Sequence, residues 1–543
     1  MNIRHWFETN ILSLGKDFRI SYLPPLMVYV AAGIQGLTAI VGTFFIKDYL
    51  GLSAEFLAAL GFWAGLPWAL KMPLGHLVDL IWRFKSWLVF VGASLIAISI
   101  LIMMGLLAAP DAMRVWAPLE HWFVLSALLA PIGYVTQDVV ADAMTVEAVP
   151  LVDRRGEPVS EDDRKVMHTT MQTLGRVAII GGSLIVSVIN VFVLRGVDKV
   201  SEVERIAAYV FIYQLALVIP VVSVAGVMLA AWVARRRQRR LMAEGFSAEQ
   251  AADLIDVQGE PTQINWWILG GGLFFTVFSL TVGLSDLPVL QTWGQEIIFS
   301  VSMAVVLFLM FKLVRELTPA ARRTLIGTAF VIFVFRALPG PGAGSTWWQI
   351  DVLGFDQGFL SVLSVISSAL TLVGLFVFRR FMAERSIYYI VGALTIAGFV
   401  LSLPILGMFY GLHEWTSRLT GGVVDARFIA LVDTALESPL GQIAMVPMLA
   451  WIANSAPGNL KATFFAVMAS FTNLALSAAQ LGTKYLNQIF KVTREVRDAK
   501  TQAITVAADY SDLGHLLIVV SVIALVVPFV AIMMARMARM RSG

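Results

Sequence analysis

The sequence predicts an all-helical protein that crosses a membrane many times, built as two similar six-span halves with two further spans between them. Three observations predict this. First, the 543 residues are 58% hydrophobic and 14% charged, with a mean hydropathy of +0.78, whereas a soluble domain carries roughly 25% charged residues. Second, the apolar residues gather into runs of about 20, the length that crosses a bilayer, separated by short charged segments. Third, one phrase occurs twice. Lys47–Leu57 reads KDYLGLSAEFL and Ile350–Leu360 reads IDVLGFDQGFL, with five of eleven positions identical.

Taken in order, fourteen spans are expected near 23–46, 56–80, 86–108, 122–148, 168–194, 208–234, 265–287, 294–314, 324–346, 357–378, 386–411, 428–451, 462–486 and 514–535. A helix satisfies its own backbone, which lipid demands of each crossing. With the N-terminus inside, 25 of the 40 lysines and arginines fall on inner segments and 12 on outer loops. This excess predicts that both termini are cytoplasmic, with the inner membrane of a bacterium as the expected location. The pI near 9.0 is therefore assigned to helix ends, and a nucleic-acid partner is excluded. Residues 1–22 carry Arg4, Lys16 and Arg19 without an apolar core and a small-residue cleavage site, so no cleaved signal peptide is expected. Their HWFETNILSL stretch is expected to lie along the membrane surface. With no cysteine, disulfides, thiol catalysis and cysteine-held metals are excluded.

The inner connection 235–264 opens with RRRQRR and turns acidic, as a linker between halves would. The expected division is an N-terminal segment 1–22, a first half 23–234, the linker 235–264, an inserted two-helix hairpin 265–323, a second half 324–535 and a tail 536–543. The inserted spans contain few buried polar groups and are expected to pack peripherally, with Asp286 and Glu296 at their outer ends. The outer loop 487–513 holds four basic residues with Glu495, Asp498, Asp509 and Asp512, and reads as a solvated segment or a short external helix. The repeated phrase follows span 1 and span 9, both on the outer face, so the halves run parallel. Parallel halves are the organisation of major-facilitator transporters. The alternative is that two outer loops converged on a glycine turn followed by a helix restart.

Three charges fall inside spans 2, 4 and 5 at one depth. Lys71, Asp138 and Arg176 each lie eight or nine residues from an inner helix end, roughly 12–14 Å at about 1.5 Å per residue. Intramembrane charges are costly and mark functional sites by default. Asp138 and Asp142 are four apart and share a helix face, where two carboxylates resist double ionisation. That suits a proton-coupling site; the other reading is a structural pair with Arg176 or Lys71. Arg336 precedes a run with two prolines and three glycines within Pro339–Gly344. A helix broken there lines a cavity, and Arg336 either faces it or caps the freed carbonyls. Lys71, Arg176 and Arg336 together would attract an organic anion. Trp347 and Trp348 read as interfacial belt residues, with Trp348 the candidate to stack on a flat substrate. Gln35, Gln172, Gln442, Asn473 and Gln480 either bond substrate or join helices. The six histidines form no i, i+4 pair, and phosphate-loop, nucleophile and dinucleotide motifs are absent from the sequence. No metal, no cofactor and no enzymatic activity are expected.

GLPWALKMPLGHLVDLIWRFK, from Gly65 to Lys85, resembles the second-span signature of the folate–biopterin transporter family of major facilitators through Leu66, Pro67, Trp68, Lys71, Pro73, Gly75, Asp79, Arg83 and Lys85. AAGIQGLTAIVGTFFIKDYLGLS resembles that family's first span. TQDVVADAMTVEAV, with Asp138, Asp142 and Glu147, resembles its fourth span, and APGNLKATFFAVMASFTNLALSAAQLGTKYL its penultimate one. The resemblance implies a secondary transporter of a folate- or pteridine-like anion; the Asp138–Asp142 pair adds the expectation that protons drive it, and a monomer is expected. Gly75, Asp79, Arg83, Lys85 and Glu147 would be its gating residues. The extra spans and the TQD of span 4 are closer to muropeptide permeases, and the second half has RRFMAER where a Gly-x-x-x-Asp counterpart would stand. A permease for muropeptides or other amphiphiles is the alternative reading, and a non-transporting membrane assembly factor is a third.

Overall fold

A computed structural model describes residues 19–540 except 51, 70, 150–158, 256–263, 284, 286, 316–317, 379–380, 382–384, 442, 444–460 and 498–503. The described chain is almost wholly helical. Among the described residues ten helices are long and apolar enough to cross a membrane. They correspond to the expected spans 1, 3 to 8, 10, 11 and 14, and they make this an integral membrane protein.

The other four expected spans depart from a plain apolar helix, each for a visible reason. Span 2 is two helices, Ala54–Ala69 and Lys71–Leu80, with Pro67 inside the first. Proline removes a hydrogen bond and crowds the preceding turn. Span 9 runs from Pro319 to Arg336, breaks over residues 337–342, and resumes as Ala343–Asp351. Span 12 is helical over Ala426–Glu437, followed by a short 3-10 turn, and its inner part lies outside the described residues. Span 13 is one long helix, Lys461–Ile489, but Ser470, Thr472 and Ser477 are buried along it, which lowers its hydropathy. Fourteen thus remains a count from the sequence.

The chain packs into two compact units. The first comprises Met1–Ala39, Leu74–Val193 and Ser201–Asn265. Here Ser86–Ala108 packs along Leu119–Ala148. Ser99 donates to the Ser126 carbonyl at 2.8 Å and Ser126 to the Ser99 carbonyl at 3.0 Å. Gln137 donates to the Val89 carbonyl at 3.2 Å and accepts from Ser223 at 3.0 Å. Such polar contacts join helices where lipid offers no hydrophobic drive for association. Spans 1 and 5 cross so closely that a Cβ at Gly33 would lie 2.1 Å from the Ile179 carbonyl oxygen; only glycine fits there.

The second unit comprises Ile40–Pro73, Leu194–Val200 and Trp266–Gly543. Its helix Ala54–Ala69 packs along Lys461–Ile489. The inserted hairpin, Trp266–Gly283 and Pro288–Val314, is fastened by charge as well as by apolar contact. Glu296 accepts from Lys484 at 3.1 Å and from Tyr485 at 2.5 Å, and Gln295 donates to the Ala59 carbonyl at 3.3 Å. Glu296 is therefore an anchor rather than a charge at a solvated helix end; Asp286 lies outside the described residues. The outer loop carries a two-stranded antiparallel ribbon, β1 (Val496–Arg497) with β2 (Ile504–Val506), prolonged by a Thr493–Asp509 bridge. Among the described residues of this loop a ribbon stands where the sequence suggests a short external helix.

The repeated phrase has a local physical explanation. In the first copy, Ser53 Oγ accepts from the Phe56 N–H at 3.1 Å; in the second, Asp356 Oδ1 accepts from the Phe359 N–H at 2.7 Å. Ser53 and Asp356 occupy the same position in the two phrases. Each caps the helix that follows, satisfying a donor the first turn leaves open. Gly354, at φ +68°, supplies the left-handed residue that turns the chain out of the preceding helix.

Candidate substrate and coupling site

The first unit gathers the charges that the sequence placed at mid-membrane. Asp138 and Asp142 project from Leu119–Ala148, and Arg176 from Glu161–Leu194. They meet around Tyr29, on the first helix Leu23–Ile34. Tyr29 Oη donates to Asp142 Oδ1 at 2.7 Å, and Asp138 and Arg176 lie near enough to act electrostatically on the same hydroxyl. Gly175 makes room for the ring, since a Cβ there would sit 2.9 Å from Tyr29 Cε2. The result is a partly buried group of two carboxyls, one guanidinium and one phenol contributed by three helices. Tyr29 escaped the sequence reading because one tyrosine in an apolar run has the look of ordinary packing.

Between spans 2 and 3 of this unit Lys85 Nζ lies 2.5 Å from Glu147 Oε1 and donates to the Trp82 carbonyl at 3.2 Å, with the Trp82 ring centroid 4.0 Å away. Asp79 is within electrostatic reach of Lys85, Gly75 packs beside Val139, and Arg83 is exposed. The five residues expected to gate thus include one firm pair, Lys85 with Glu147.

The remaining candidates distribute differently. Lys71 opens its helix, is half-buried and belongs to the second unit. Arg336 is the last residue of Pro319–Arg336, where a cation complements the helix dipole. The break after it is held by span 13. Gly340 N–H donates to Thr483 Oγ1 at 3.0 Å, and Asn487 donates to the Pro341 carbonyl at 3.3 Å. Asn473 donates to the Trp68 carbonyl at 3.2 Å, next to the interruption of span 2, so it serves a backbone group in this structure. Trp347 and Trp348 are 2% and 3% exposed, which makes them core residues rather than belt residues; Trp348 stacks near Phe409 at 5.5 Å. Gln35 is exposed on a 3-10 turn. The Gln172 side chain and the whole of Gln442 lie outside the described residues.

The fold is that of major-facilitator membrane transporters. The chain is similar over 98% of its length to 96% of the peptide transporter POT, solved with alafosfalin (TM-score 0.58, 15% identity). It is likewise similar over 95% of its length to all of a nucleoside transporter NupG variant (TM-score 0.53, 11% identity). Residues 32–541 match the BT1 family, and the chain belongs to it. A curated relative, the folate-biopterin transporter of Synechocystis sp. (strain ATCC 27184 / PCC 6803 / Kazusa), is 24% identical over 270 residues. That match takes in 47% of this chain and 51% of the relative, so the chain spans about half the length of the curated protein it matches. Both the family and the fold point to transporters rather than enzymes.

Proposed function

We propose that this protein is a secondary transporter that carries a folate- or pteridine-like organic anion across the membrane, coupled to protons, by alternating access of its two halves. The observation that carries the reading is the partly buried group of Tyr29, Asp138, Asp142 and Arg176 in a chain of the BT1 family. Buried ionisable residues in a membrane protein are costly and mark pathways for ions and substrates. Arg176, with Lys71 and Arg336, would hold the substrate carboxylates, since a guanidinium matches a carboxylate in a two-pronged way. Asp138 would exchange the proton with Asp142 beside it. The named relative supports the substrate class. The protein would act as a monomer in the inner membrane of a bacterium, with both termini cytoplasmic.

The test is uptake of labelled folate by proteoliposomes with and without an inward proton gradient. Uptake should depend on the gradient; Asp138→Asn should uncouple it, and Arg176→Ala should lower it at least tenfold. Folded protein that takes up neither folate nor biopterin would shift the reading to a permease for muropeptides, to be assayed next with anhydromuropeptides.

A further inference from the structure

The two copies of the repeated phrase meet. Lys47, in the turn Ile46–Leu50 that ends span 1, places Nζ 2.6 Å from Oδ1 of Asp351, the last residue of Ala343–Asp351. The other oxygen of the same carboxylate accepts from Tyr510 Oη at 2.5 Å. Both acceptor oxygens are thus engaged, by partners from span 1 and from the loop that precedes span 14. Tyr510 is set by the backbone pairing of Thr493 with Asp509. Arg494, 2% exposed, lies over the Trp347 ring at 5.0 Å and acts electrostatically on Tyr510. Burial, reinforced by the bond to Asp351, pushes the Tyr510 phenol far above its ordinary value, so it remains a donor across physiological pH. A second contact runs in parallel: Gln488, at the outer end of span 13, donates to Glu55 at the start of span 2 at 2.5 Å.

We infer that Lys47, Asp351 and Tyr510 form an outer latch, made in the conformation closed to the outside and broken when the outer side opens. The inference rests on the alternating-access reading, and it names residues for that cycle which neither the family nor the sequence assigns. Three features support it. The contacts join the outer ends of spans 1 and 2 to spans 9, 13 and 14, segments that belong to different halves in the sequence. The ion pair is partly shielded, with side-chain exposures of 15% for Lys47 and 27% for Asp351, so water can replace each partner as the two separate. Both oxygens of the Asp351 carboxylate are engaged, by Lys47 and by Tyr510, so separating the one carboxylate releases both contacts together.

The chain has no cysteine, so single reporters can be introduced cleanly. Ala54→Cys, near the outer end of span 2, and Ala148→Cys, at the inner end of span 4, would each be labelled with an impermeant maleimide in vesicles of defined orientation. No substrate is needed, so the result is separable from any failure of the folate reading. Lys47→Gln and Asp351→Asn should each raise Ala54→Cys labelling three- to tenfold and lower Ala148→Cys labelling. Tyr510→Phe should do the same more weakly, and the exchange Lys47→Asp with Asp351→Lys should restore both rates. Outer labelling unchanged in Lys47→Gln and Asp351→Asn would overturn the latch. So would a rise at both reporters, or an exchange variant that behaves as the single variants do, because each would mean loosened packing rather than a shifted conformation.

Discussion

The pair Lys85–Glu147 and the pair Lys47–Asp351 are alike in length, 2.5 and 2.6 Å, and unlike in what they join. Each pair lies within a single compact unit, but Lys85 and Glu147 sit at the facing ends of neighbouring helices. Lys47 and Asp351 are brought together from span 1 and span 9, far apart in the chain. The surroundings differ in the same sense. The Lys85 side chain is 9% exposed and is held by a carboxylate, a carbonyl and an indole face. Asp351 is shared between Lys47 and Tyr510, and at 27% it is no more open to water than Glu147 at 35%. The comparison teaches that sequence separation and the contacts around each pair, rather than bond length or exposure, tell a structural pair from one able to break in a working cycle.

The most damaging way to break the comparison is Lys85→Ala. It removes the ion pair, the bond to the Trp82 carbonyl and the cation–π contact together. Losing one partner of a fully buried pair costs several kcal/mol. Glu147 is 35% exposed, and that discounts the loss to about 2 kcal/mol. Thermal unfolding in detergent should show a clearly lower midpoint, whereas Lys47→Gln, which removes the ion pair but leaves Asp351 bonded to Tyr510, should lower it less while shifting reporter labelling. Equal midpoint losses in the two variants would erase the distinction.

Tyr29→Phe comes next. It deletes a single hydroxyl and keeps the ring that Gly175 accommodates. A lost hydrogen bond costs about 1 kcal/mol, so the midpoint should fall less than in Lys85→Ala. If the phenol serves the proton on the Asp138–Asp142 pair, gradient-driven uptake should fall further than gradient-free exchange. Equal losses in the two assays would leave Tyr29 a purely structural bond.

Much of this was legible in the sequence, for reasons that particular residues make plain. Apolar runs near 20 residues admit little but spanning helices, so the fold class followed. Asp138, Asp142 and Arg176 stood out because charge inside an apolar run is costly, and the structure brings them around one hydroxyl. Pro339 and Pro341 announced the break in span 9. Other features stayed hidden. Lys47, Asp351 and Tyr510 lie in outer loops, where charges and phenols are ordinarily solvated, and their meeting depends on segments far apart in the chain. The double tryptophan misled, because Trp347 and Trp348 sit near a helix end by count, yet Arg494 and Phe409 cover them from the outer loop and from span 11. Glu296 was legible as a charge but not as an anchor, since Lys484 and Tyr485 reach it from another span.

The smallest expected effects test the repeat itself. Ser53→Ala and Asp356→Ala remove equivalent helix caps from the two copies of the phrase. Loss of such a cap costs about 1 kcal/mol. If the phrase were only a capping device, the two variants would match. They should not, because Asp356 also takes Arg427 Nη2 on its other oxygen at 2.8 Å, and the same nitrogen donates to the Gly354 carbonyl at 2.9 Å. The Arg427 pair is partly exposed, with side-chain exposures of 46% and 36%, so it adds a few tenths of a kcal/mol at most. Asp356→Ala should therefore lower the midpoint slightly more than Ser53→Ala, and Asp356→Asn, which keeps the cap but drops the charge, should recover the share of the cap and leave only the small Arg427 loss. If Ser53→Ala were the more damaging of the two, the first copy of the phrase would be holding more than its own helix start. The neighbouring Lys47–Asp351 contact, six residues before Ser53, would then be the first place to look for what it holds.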